Sequence, residues 1–217
     1  AHSLRLARGR VDVRRYWEIY YHLDWDHTEK YFEEEMLRRL EESARLHLRS
    51  DVPIGAFVSG GLDSSLVAAL GSRRAGRDFV GFHGRFTEGP EYDESRYARA
   101  LTEHCGFPLE VLDITCDDFV RNIRKVIYQL DCPAAGPGSF PQYMVSQLAG
   151  GRRKVVLGGE GGDEVFGGYV RYLVAYFEQC IKGAIEGTLK NGNFVVTYES
   201  IIPNLVALQN YKPLIRE

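Results

Sequence analysis

The chain has 217 residues, of which 44% are hydrophobic and 26% are charged, and its formal net charge is −3. This is the composition of a globular protein with room for one large α/β domain, or for one domain and part of another. The charge balance lacks the basic excess typical of nucleic-acid binding, and no apolar run reaches the ~20 residues that span a bilayer. We therefore expect neither a nucleic-acid partner nor membrane insertion.

Short apolar runs alternate with amphipathic stretches along the chain. Residues 1–27 predict one or two short strands, and residues 28–49 predict a helix with Thr28 as its N-cap. Buried-strand patterns follow at residues 53–58, 78–82, 109–114 and 154–157. Helix patterns separate them at residues 64–70, 92–104, 117–130, 142–148 and 169–182. This alternation predicts an α/β fold, a parallel twisted sheet with helices on both faces.

The first buried strand is followed by Ser-Gly-Gly-Leu-Asp-Ser-Ser at residues 59–65. Gly60 and Gly61 let the backbone turn sharply and expose its N–H groups, and a helix beginning near Ser64 adds the positive end of its dipole. With three serine hydroxyls nearby, this pattern predicts a phosphate or pyrophosphate site. Asp63 would repel phosphates unless it binds Mg²⁺, and the missing Walker lysine argues against a P-loop NTPase. A tight turn with an ordinary helix cap is the alternative.

The last predicted strand leads into a glycine-dense segment at residues 158–168. Six glycines among eleven residues carry a heavy conformational-entropy cost for a plain connector, so they indicate close approach of backbone and ligand. Three acids in the segment suit metal ligation, acid–base chemistry or both: Glu160, Asp163 and Glu164. A solvated acidic turn is the alternative.

Both loops leave the carboxyl ends of predicted strands, which is where ligands bind in parallel sheets. If the two strands are neighbours, Asp63 and Asp163 can face one Mg²⁺ between them. This joint placement is more informative than either loop alone, because each loop by itself has an ordinary structural explanation.

Four segments fit the pattern of one family in the same order: residues 59–65, 92–99, 131–143 and 159–169. The first resembles the pyrophosphate loop of the N-type ATP pyrophosphatases. The last resembles a motif of narrower distribution that is typical of asparagine synthetases and their relatives. The chain thus resembles the synthetase domain of the asparagine synthetase family, glutamine-hydrolysing type. The resemblance implies an adenine-nucleotide α-hydrolase-like fold.

The resemblance also implies which residues contact ATP. The pyrophosphate would be held by Ser59, Gly60, Gly61, Asp63, Ser64 and Ser65. The adenosine site would be lined by backbone atoms of Val58, Gly84 and Gly159.

The remaining implied roles belong to acidic residues. Asp63 and Asp163 would ligate Mg²⁺, and Glu160 would be the acid/base that handles protons on the attacking ammonia. Asp93 or Glu94 would lie near the nucleotide, with the choice between them left open.

The reaction implied by the resemblance joins a side-chain carboxylate, with aspartate favoured, to the α-phosphorus of ATP and releases pyrophosphate. Ammonia supplied by a glutaminase domain then attacks the acyl-adenylate to give asparagine and AMP. A base is required because ammonium is not a nucleophile. ATP and Mg²⁺ are the implied cofactors, and a homodimer is an assembly that the sequence leaves open.

The resemblance divides the chain into three parts. Residues 1–20 would be the end of a glutaminase domain with a linker, and residues 21–182 the ATP-pyrophosphatase synthetase domain. Residues 183–217 would be a partial C-terminal extension. No counterpart of the family's N-terminal Cys is present. The later catalytic Lys of the family has no recognisable counterpart among Lys182, Lys190 and Lys212. We therefore expect an excerpt of a longer protein, and its activity in isolation is left open.

Three other functions remain as alternatives. A relative that closes a β-lactam or forms a peptide-like amide would share every nucleotide residue. A nucleotide-binding module without chemistry would have no use for Glu160. A tRNA-modifying thiolase-like relative would require a basic surface or paired cysteines, and the sequence has neither.

The cysteines and histidines do not add a site. None of the four cysteines forms a CxxC pair, so free thiols and a cytoplasmic location are expected. His83 and His104 lie near the predicted nucleotide face, but surface positions are favoured for both.

Overall fold

The computed structural model describes residues 1–20, 22, 24, 26–76, 78–131, 136 and 138–186. The chain forms two compact units, with the boundary between Glu41 and Glu42. No helix in the described ranges is long and apolar enough to cross a membrane.

The first unit contains an antiparallel hairpin of β1 (His2–Ala7) and β2 (Arg10–Arg15). Arg8 and Gly9 connect the strands with φ angles of 50° and 74°, the left-handed pair that suits the twist of a two-residue hairpin turn. Helix α1 (Glu29–His47) begins in this unit, and the Tyr31 N–H donates to the Thr28 hydroxyl over 3.3 Å. This bond confirms Thr28 as the helix cap.

The second unit alternates strands and helices, as the apolar pattern predicts. Its elements are β3 (Ile54–Phe57), α2 (Leu62–Ala75), β4 (Val80–Phe86), α3 (Ser95–Cys105), β5 (Leu109–Ile114), α4 (Cys116–Gln129), α5 (Ser139–Gly150), β6 (Val155–Leu157), α6 (Gly162–Phe166) and α7 (Val170–Glu186).

The four strands of this unit form one parallel sheet in the order β5-β4-β3-β6. The chain adds β4 and β5 on one side of β3 and then returns to place β6 on the other side. The strand order therefore reverses between β3 and β6, where loops on the two strands diverge and leave a crevice at the carboxyl ends. The register pairs Ile54 with Val155 and Ala56 with Leu157, so both strands end at the same level.

Separate apolar cores cover the two faces of the sheet. One face packs against α2 and α3, with Ala56, Phe79 and Ala98 at its centre. The other packs against α4 and α5, with Phe82 and Ile114 fully buried. Successive strand residues point to opposite faces, so β3, β5 and β6 contribute to both cores, whereas the apolar core residues of β4, Val80 and Phe82, belong to the second. The predicted α/β architecture, with helices on both faces of a parallel sheet, is confirmed.

The structure corrects several predicted element boundaries. Strand β4 continues to Phe86 because it pairs with β5 from Gly81 to Phe86. The helix expected from residue 92 begins at Ser95, after a 3₁₀ turn at Pro90–Tyr92. Helix α5 begins at Ser139, three residues before its predicted start at residue 142.

The glycine-dense segment also differs from its prediction as a continuous loop. Residues Gly162–Phe166 form the short helix α6, which places Asp163 in a helical first turn. Part of the predicted C-terminal extension, residues 187–217, lies outside the described residues and includes Lys190 and Lys212.

Candidate functional site

The loops after β3 and β6 meet at the reversal in strand order. A Cβ atom on Gly159 would lie 2.6 Å from the Ser64 amide nitrogen and 2.9 Å from the Asp63 carbonyl carbon. Such distances leave no room for a side chain, so glycine is what allows the two backbones to touch. Strands β3 and β6 are paired, so the condition that the two strands be neighbours is met, and the loops that follow them are in contact.

The loop at residues 59–65 is braced by its own serines. The Ser64 hydroxyl accepts from the Ser59 N–H over 3.1 Å and donates to the Gly61 carbonyl over 3.2 Å. The Ser59 hydroxyl lies 2.8 Å from the Ser64 hydroxyl and accepts from the Gly61 N–H over 3.1 Å. These bonds hold the turn in one shape, so some of the donors predicted for a phosphate are used within the loop.

The loop bends at Gly60, where φ is 98°. A Cβ there would also lie 3.0 Å from the Glu94 carbonyl oxygen, because the loop packs against the start of α3. Helix α2 then begins at Leu62 and not near Ser64, so Asp63 occupies its first turn. Its N-cap, Gly61, makes no side-chain capping bond. The first amides of α2 are consequently left without the partner that a Ser, Thr or Asp cap would supply.

A cavity of about 650 Å³, here called cavity A, opens between the two loops. Residues from both loops line it: Ser59, Gly61, Leu62, Asp63, Ser64, Gly159, Glu160, Gly162, Asp163, Phe166 and Gly168. Gly60 and Ser65 belong to the predicted pyrophosphate set but are not among these lining residues.

The acids of the second loop have separate positions. Glu160 and Asp163 line cavity A, whereas Glu164 accepts a hydrogen bond from the Tyr169 hydroxyl over 2.7 Å. That bond lowers the pKa of Glu164 and raises the pKa of Tyr169. The Glu160 carboxylate is exposed and turns back over Gly158. Of the three acids, two therefore remain available to a ligand in cavity A.

Asp63 and Asp163 are both half-buried at the wall of cavity A. The Asp63 carboxylate packs against the backbone of Gly162, since a Cβ on that glycine would lie 2.6 Å from its Oδ2. Gly162 immediately precedes Asp163. Within the described residues, no group of three or more His, Cys, Asp or Glu side chains is arranged to hold a metal by itself.

A second cavity of about 440 Å³, here called cavity B, adjoins cavity A at the ends of β3 and β4. The two cavities share three lining residues: Phe57, Ser59 and Gln142. Val58 and Gly84, predicted for the adenosine site, line cavity B, whereas Gly159 lines cavity A. Gln142 was not predicted as a site residue, although it lies in the matching segment of residues 131–143.

The structure distinguishes the two acids that precede α3. Glu94 lines cavity B. Asp93 accepts from the Ser95 N–H over 2.9 Å, and its pKa is lowered chiefly by hydrogen bonding to Ser95, with a further contribution from the Arg85 charge. Asp93 thus holds the start of α3, and Glu94 is the acid that faces a cavity.

The histidine expectations were half right. His104 is exposed, as favoured. His83 was predicted at the surface, and this was wrong, because its side chain is 2% exposed. It lies on β4, where the strand alternation turns it towards the core between the sheet and the helices.

Comparison with known proteins identifies the family. Residues 35–212 match the asparagine synthase family. The chain belongs to this family. A putative glutamine-hydrolyzing asparagine synthetase of Mycobacterium tuberculosis is 39% identical over 139 residues, which are 64% of this chain and 21% of that protein. The family resemblance inferred from the four segments is confirmed.

Two further relatives carry the same kind of name. A putative glutamine-hydrolyzing asparagine synthetase of Methanocaldococcus jannaschii is 38% identical over 175 residues, 79% of this chain and 33% of that protein. Asparagine synthetase B of Escherichia coli, also named as glutamine-hydrolyzing, is 32% identical over 174 residues, 70% of this chain and 31% of that protein. The chain spans about a fifth to a third of the length of these relatives.

Proposed function

We propose that this chain is the ATP-binding part of an ATP-dependent amide-forming ligase that activates a side-chain carboxylate, with aspartate favoured, and transfers ammonia to it. The observation that carries the proposal is the joint lining of cavity A by an uncapped helix N-terminus and three acids from two neighbouring strand ends. Membership of the asparagine synthase family supports the same reaction class.

The start of α2 supports binding of the pyrophosphate of ATP. Gly61, Leu62 and Ser64 line cavity A, and this 14-residue helix has no side-chain cap. Free amides at a helix N-terminus attract anions through hydrogen bonds and through the helix dipole. Because Gly159 has no side chain, the loop after β6 lies close to the start of α2, and phosphate oxygens can approach both loops.

The donor set suits Mg²⁺. Asp63 and Asp163 present carboxylate oxygens to cavity A, and Mg²⁺ is commonly bound by one or two carboxylates together with substrate phosphates. The small number of protein acids therefore fits a metal that enters with the nucleotide. Bound by these residues, Mg²⁺ would neutralise phosphate charge that otherwise repels the attacking carboxylate.

Cavity B is the proposed adenosine site. Phe57, Phe82, Phe86 and Val145 give it apolar walls suited to a flat base, while Val58 and Gly84 bring backbone groups to its edge. Its continuity with cavity A through Ser59 matches the extended shape of a nucleotide, with the base at the end of β4 and the phosphates at the reversal in strand order.

Glu160 is the proposed acid/base. Its exposed carboxylate lines cavity A beside the proposed phosphate position. Transfer of ammonia requires removal of a proton from the attacking nitrogen, and a carboxylate within hydrogen-bond reach can accept it. Ammonia would come from a glutaminase activity elsewhere in the whole protein.

The test is pyrophosphate release by the full-length protein with ATP, Mg²⁺, ammonium and aspartate. We expect Asp163→Asn to lower the rate about 100-fold or more, because a proposed ligand of the Mg²⁺ that neutralises the phosphates is lost. Glu164→Gln is the matched control, since it changes the adjacent acid, which pairs with Tyr169 outside cavity A. Its rate should stay within about threefold of the original.

The outcomes separate the competing functions. Pyrophosphate release that aspartate does not stimulate, but another carboxylate does, would overturn the favoured acceptor and keep the ligase. ATP binding without pyrophosphate release under any acceptor would instead favour the nucleotide-binding module.

A further inference from the structure

The side chain of His83 makes a buried contact just beyond the end of β3. Its ring is 2% exposed, and Nδ1 lies 2.7 Å from the carbonyl oxygen of Val58. Nε2 is buried without a hydrogen-bond partner among the described residues. Because a carbonyl oxygen only accepts, the hydrogen of this bond is on Nδ1.

The contact lies where β3 leaves the sheet. Phe57 and Phe82 are the last paired residues of β3 and β4, and the Val58 N–H still donates to the Phe82 carbonyl over 2.9 Å. Beyond that bond the chain turns into the loop at residues 59–65. The next acceptor along the chain is the Val58 carbonyl, which accepts a hydrogen bond from the His83 ring. The side chain thus extends the attachment of β3 to β4 by one peptide.

Fixing this carbonyl also fixes the first donor of the loop. The peptide between Val58 and Ser59 is planar, so the direction of the Val58 carbonyl sets the direction of the Ser59 N–H. That N–H donates to the Ser64 hydroxyl over 3.1 Å in the first turn of α2. A chain of contacts therefore runs from the His83 ring to the wall of cavity A.

Packing alone does not account for a histidine at this position. An apolar side chain of similar size would fill the same space, and it would bury no nitrogen without a partner. The imidazole differs from such a side chain by the bond that Nδ1 donates. Among the described residues, the one hydrogen bond of the His83 side chain is with Val58, the residue that precedes the loop.

We propose that His83 is a positioning residue for the loop at residues 59–65, holding it in the shape that receives the phosphates of ATP. The role in ATP binding rests on the proposed function, whereas the effect on the loop does not. His83 acts through the Val58 peptide and does not itself touch the nucleotide.

Three substitutions separate the hydrogen bond from the volume of the ring. His83→Asn places an amide N–H at the same number of bonds from the backbone as Nδ1, so it retains the donor. His83→Gln moves the donor one bond farther out, and His83→Leu removes it. The readouts are hydrogen exchange of residues 58–65 and the KM for ATP and kcat of pyrophosphate release in the full-length protein.

We expect His83→Leu and His83→Gln to speed exchange in the loop and to raise the KM for ATP about 5- to 10-fold, the effect of one lost hydrogen bond. His83→Asn should restore both quantities to within about threefold. Exchange of residues 109–114 in β5 should stay unchanged in all three variants, which controls for general loosening of the sheet.

Equal impairment by all three variants, or unchanged loop exchange in His83→Leu, would overturn the proposal. If the unsubstituted protein released no pyrophosphate, the proposed function would fail. The exchange measurements would still decide whether His83 holds the loop.

Discussion

Neighbouring side chains of the same type have different roles in this protein. Asp163 lines cavity A, while Glu164, the next residue, is bound by Tyr169. Glu94 lines cavity B, while Asp93, the residue before it, accepts from the Ser95 N–H. In both pairs, a local hydrogen bond occupies one acid and leaves the other available. In each pair, the backbone directs one carboxylate to a local hydrogen bond and the other towards a cavity.

At Gly159, the contact between the two loops predicts a large effect of a single methyl group. Gly159→Ala places its Cβ against the backbone of Asp63 and Ser64, so one loop must move. We expect a loss of about 1–3 kcal/mol in the free energy of unfolding, typical of overpacking, together with weaker ATP binding. Guanidinium denaturation and calorimetric titration with ATP would measure these effects.

Gly150→Ala is the control for this substitution. Gly150 lies at the end of α5, and no atom lies within 4 Å of its Cβ position. Alanine there should leave stability unchanged or raise it by up to about 1 kcal/mol, since alanine favours helix over glycine. An equal loss in both variants would contradict a specific contact at Gly159.

At the level of elements, α2 and α4 begin in contrasting ways. Helix α4 has a complete capping box, in which the Asp118 N–H donates to the Thr115 hydroxyl over 3.2 Å and the Thr115 N–H donates to the Asp118 carboxylate over 3.0 Å. Helix α2 has Gly61 at its N-cap and no side-chain capping bond. Capping satisfies the first amides of α4 within the protein, whereas Gly61 and Leu62 at the start of α2 line cavity A without a side-chain cap. A capping box thus stabilises the start of α4, and α2 lacks that contribution.

The capping box of α4 predicts both a mutational and a pH effect. Thr115→Ala should lower the free energy of unfolding by about 1 kcal/mol, and Thr115→Ser should retain most of it because serine keeps the hydroxyl. Hydrogen bonds from Thr115 hold the pKa of Asp118 below its ordinary value of 3.8. The carboxylate therefore stabilises the folded state above that value, and this contribution is lost as the pH falls through the lowered pKa.

Asp118→Asn removes the charge that titrates. We expect the original protein to be more stable than this variant at pH 6, with the difference closing as the pH falls below 3.8 and through the lowered pKa of Asp118. Denaturant unfolding of both proteins across this range would measure it. A difference that stays constant with pH would show that the Asp118 charge does not contribute to the cap.

At the scale of the whole second unit, one sheet supports two cores and one site. Phe79 belongs to the core under α2 and α3, and Ile114 to the core under α4 and α5. Both cores share β3 and β6, whose carboxyl ends lead into the loops that line cavity A. The site is therefore positioned by residues that are far from it in the sequence and packed on both sides of the sheet.

Removing volume from either core should destabilise the same folded unit. Phe79 is 1% exposed and makes an edge-to-face contact with Phe107, and Ile114 is 0% exposed. We expect Phe79→Ala to cost about 3–5 kcal/mol and Ile114→Ala about 2–5 kcal/mol in the free energy of unfolding. Ile127→Ala is the control, because this residue of α4 is 59% exposed and its loss should cost at most about 0.5 kcal/mol.

Circular dichroism would follow these transitions. The two core variants should shift the circular-dichroism transition of the second unit in the same direction. A variant that melts one face and leaves the other folded would contradict a single cooperative sheet.

The sequence by itself determined the elements and the motifs. Apolar periodicity indicated the strands and most helices, because burial of one face or both faces imposes a repeat on the residues. The glycines and acids of residues 59–65 and 158–168 indicated two ligand-facing loops and led to the family. Element ends were less well predicted, as with β4, because the end of a strand depends on how far its neighbour extends.

Only the tertiary structure decided which of these residues meet. It paired β3 with β6, which brought Asp63 and Asp163 to one cavity and left Gly159 no space for a side chain. It also showed that His83 is buried and that its ring is hydrogen-bonded to the carbonyl of Val58, 25 residues earlier in the chain. Local spacing fixes the conformation of a segment, but pairing between distant strands fixes its neighbours. The sequence indicated both loops, but only the pairing of β3 with β6 brings them together at one cavity.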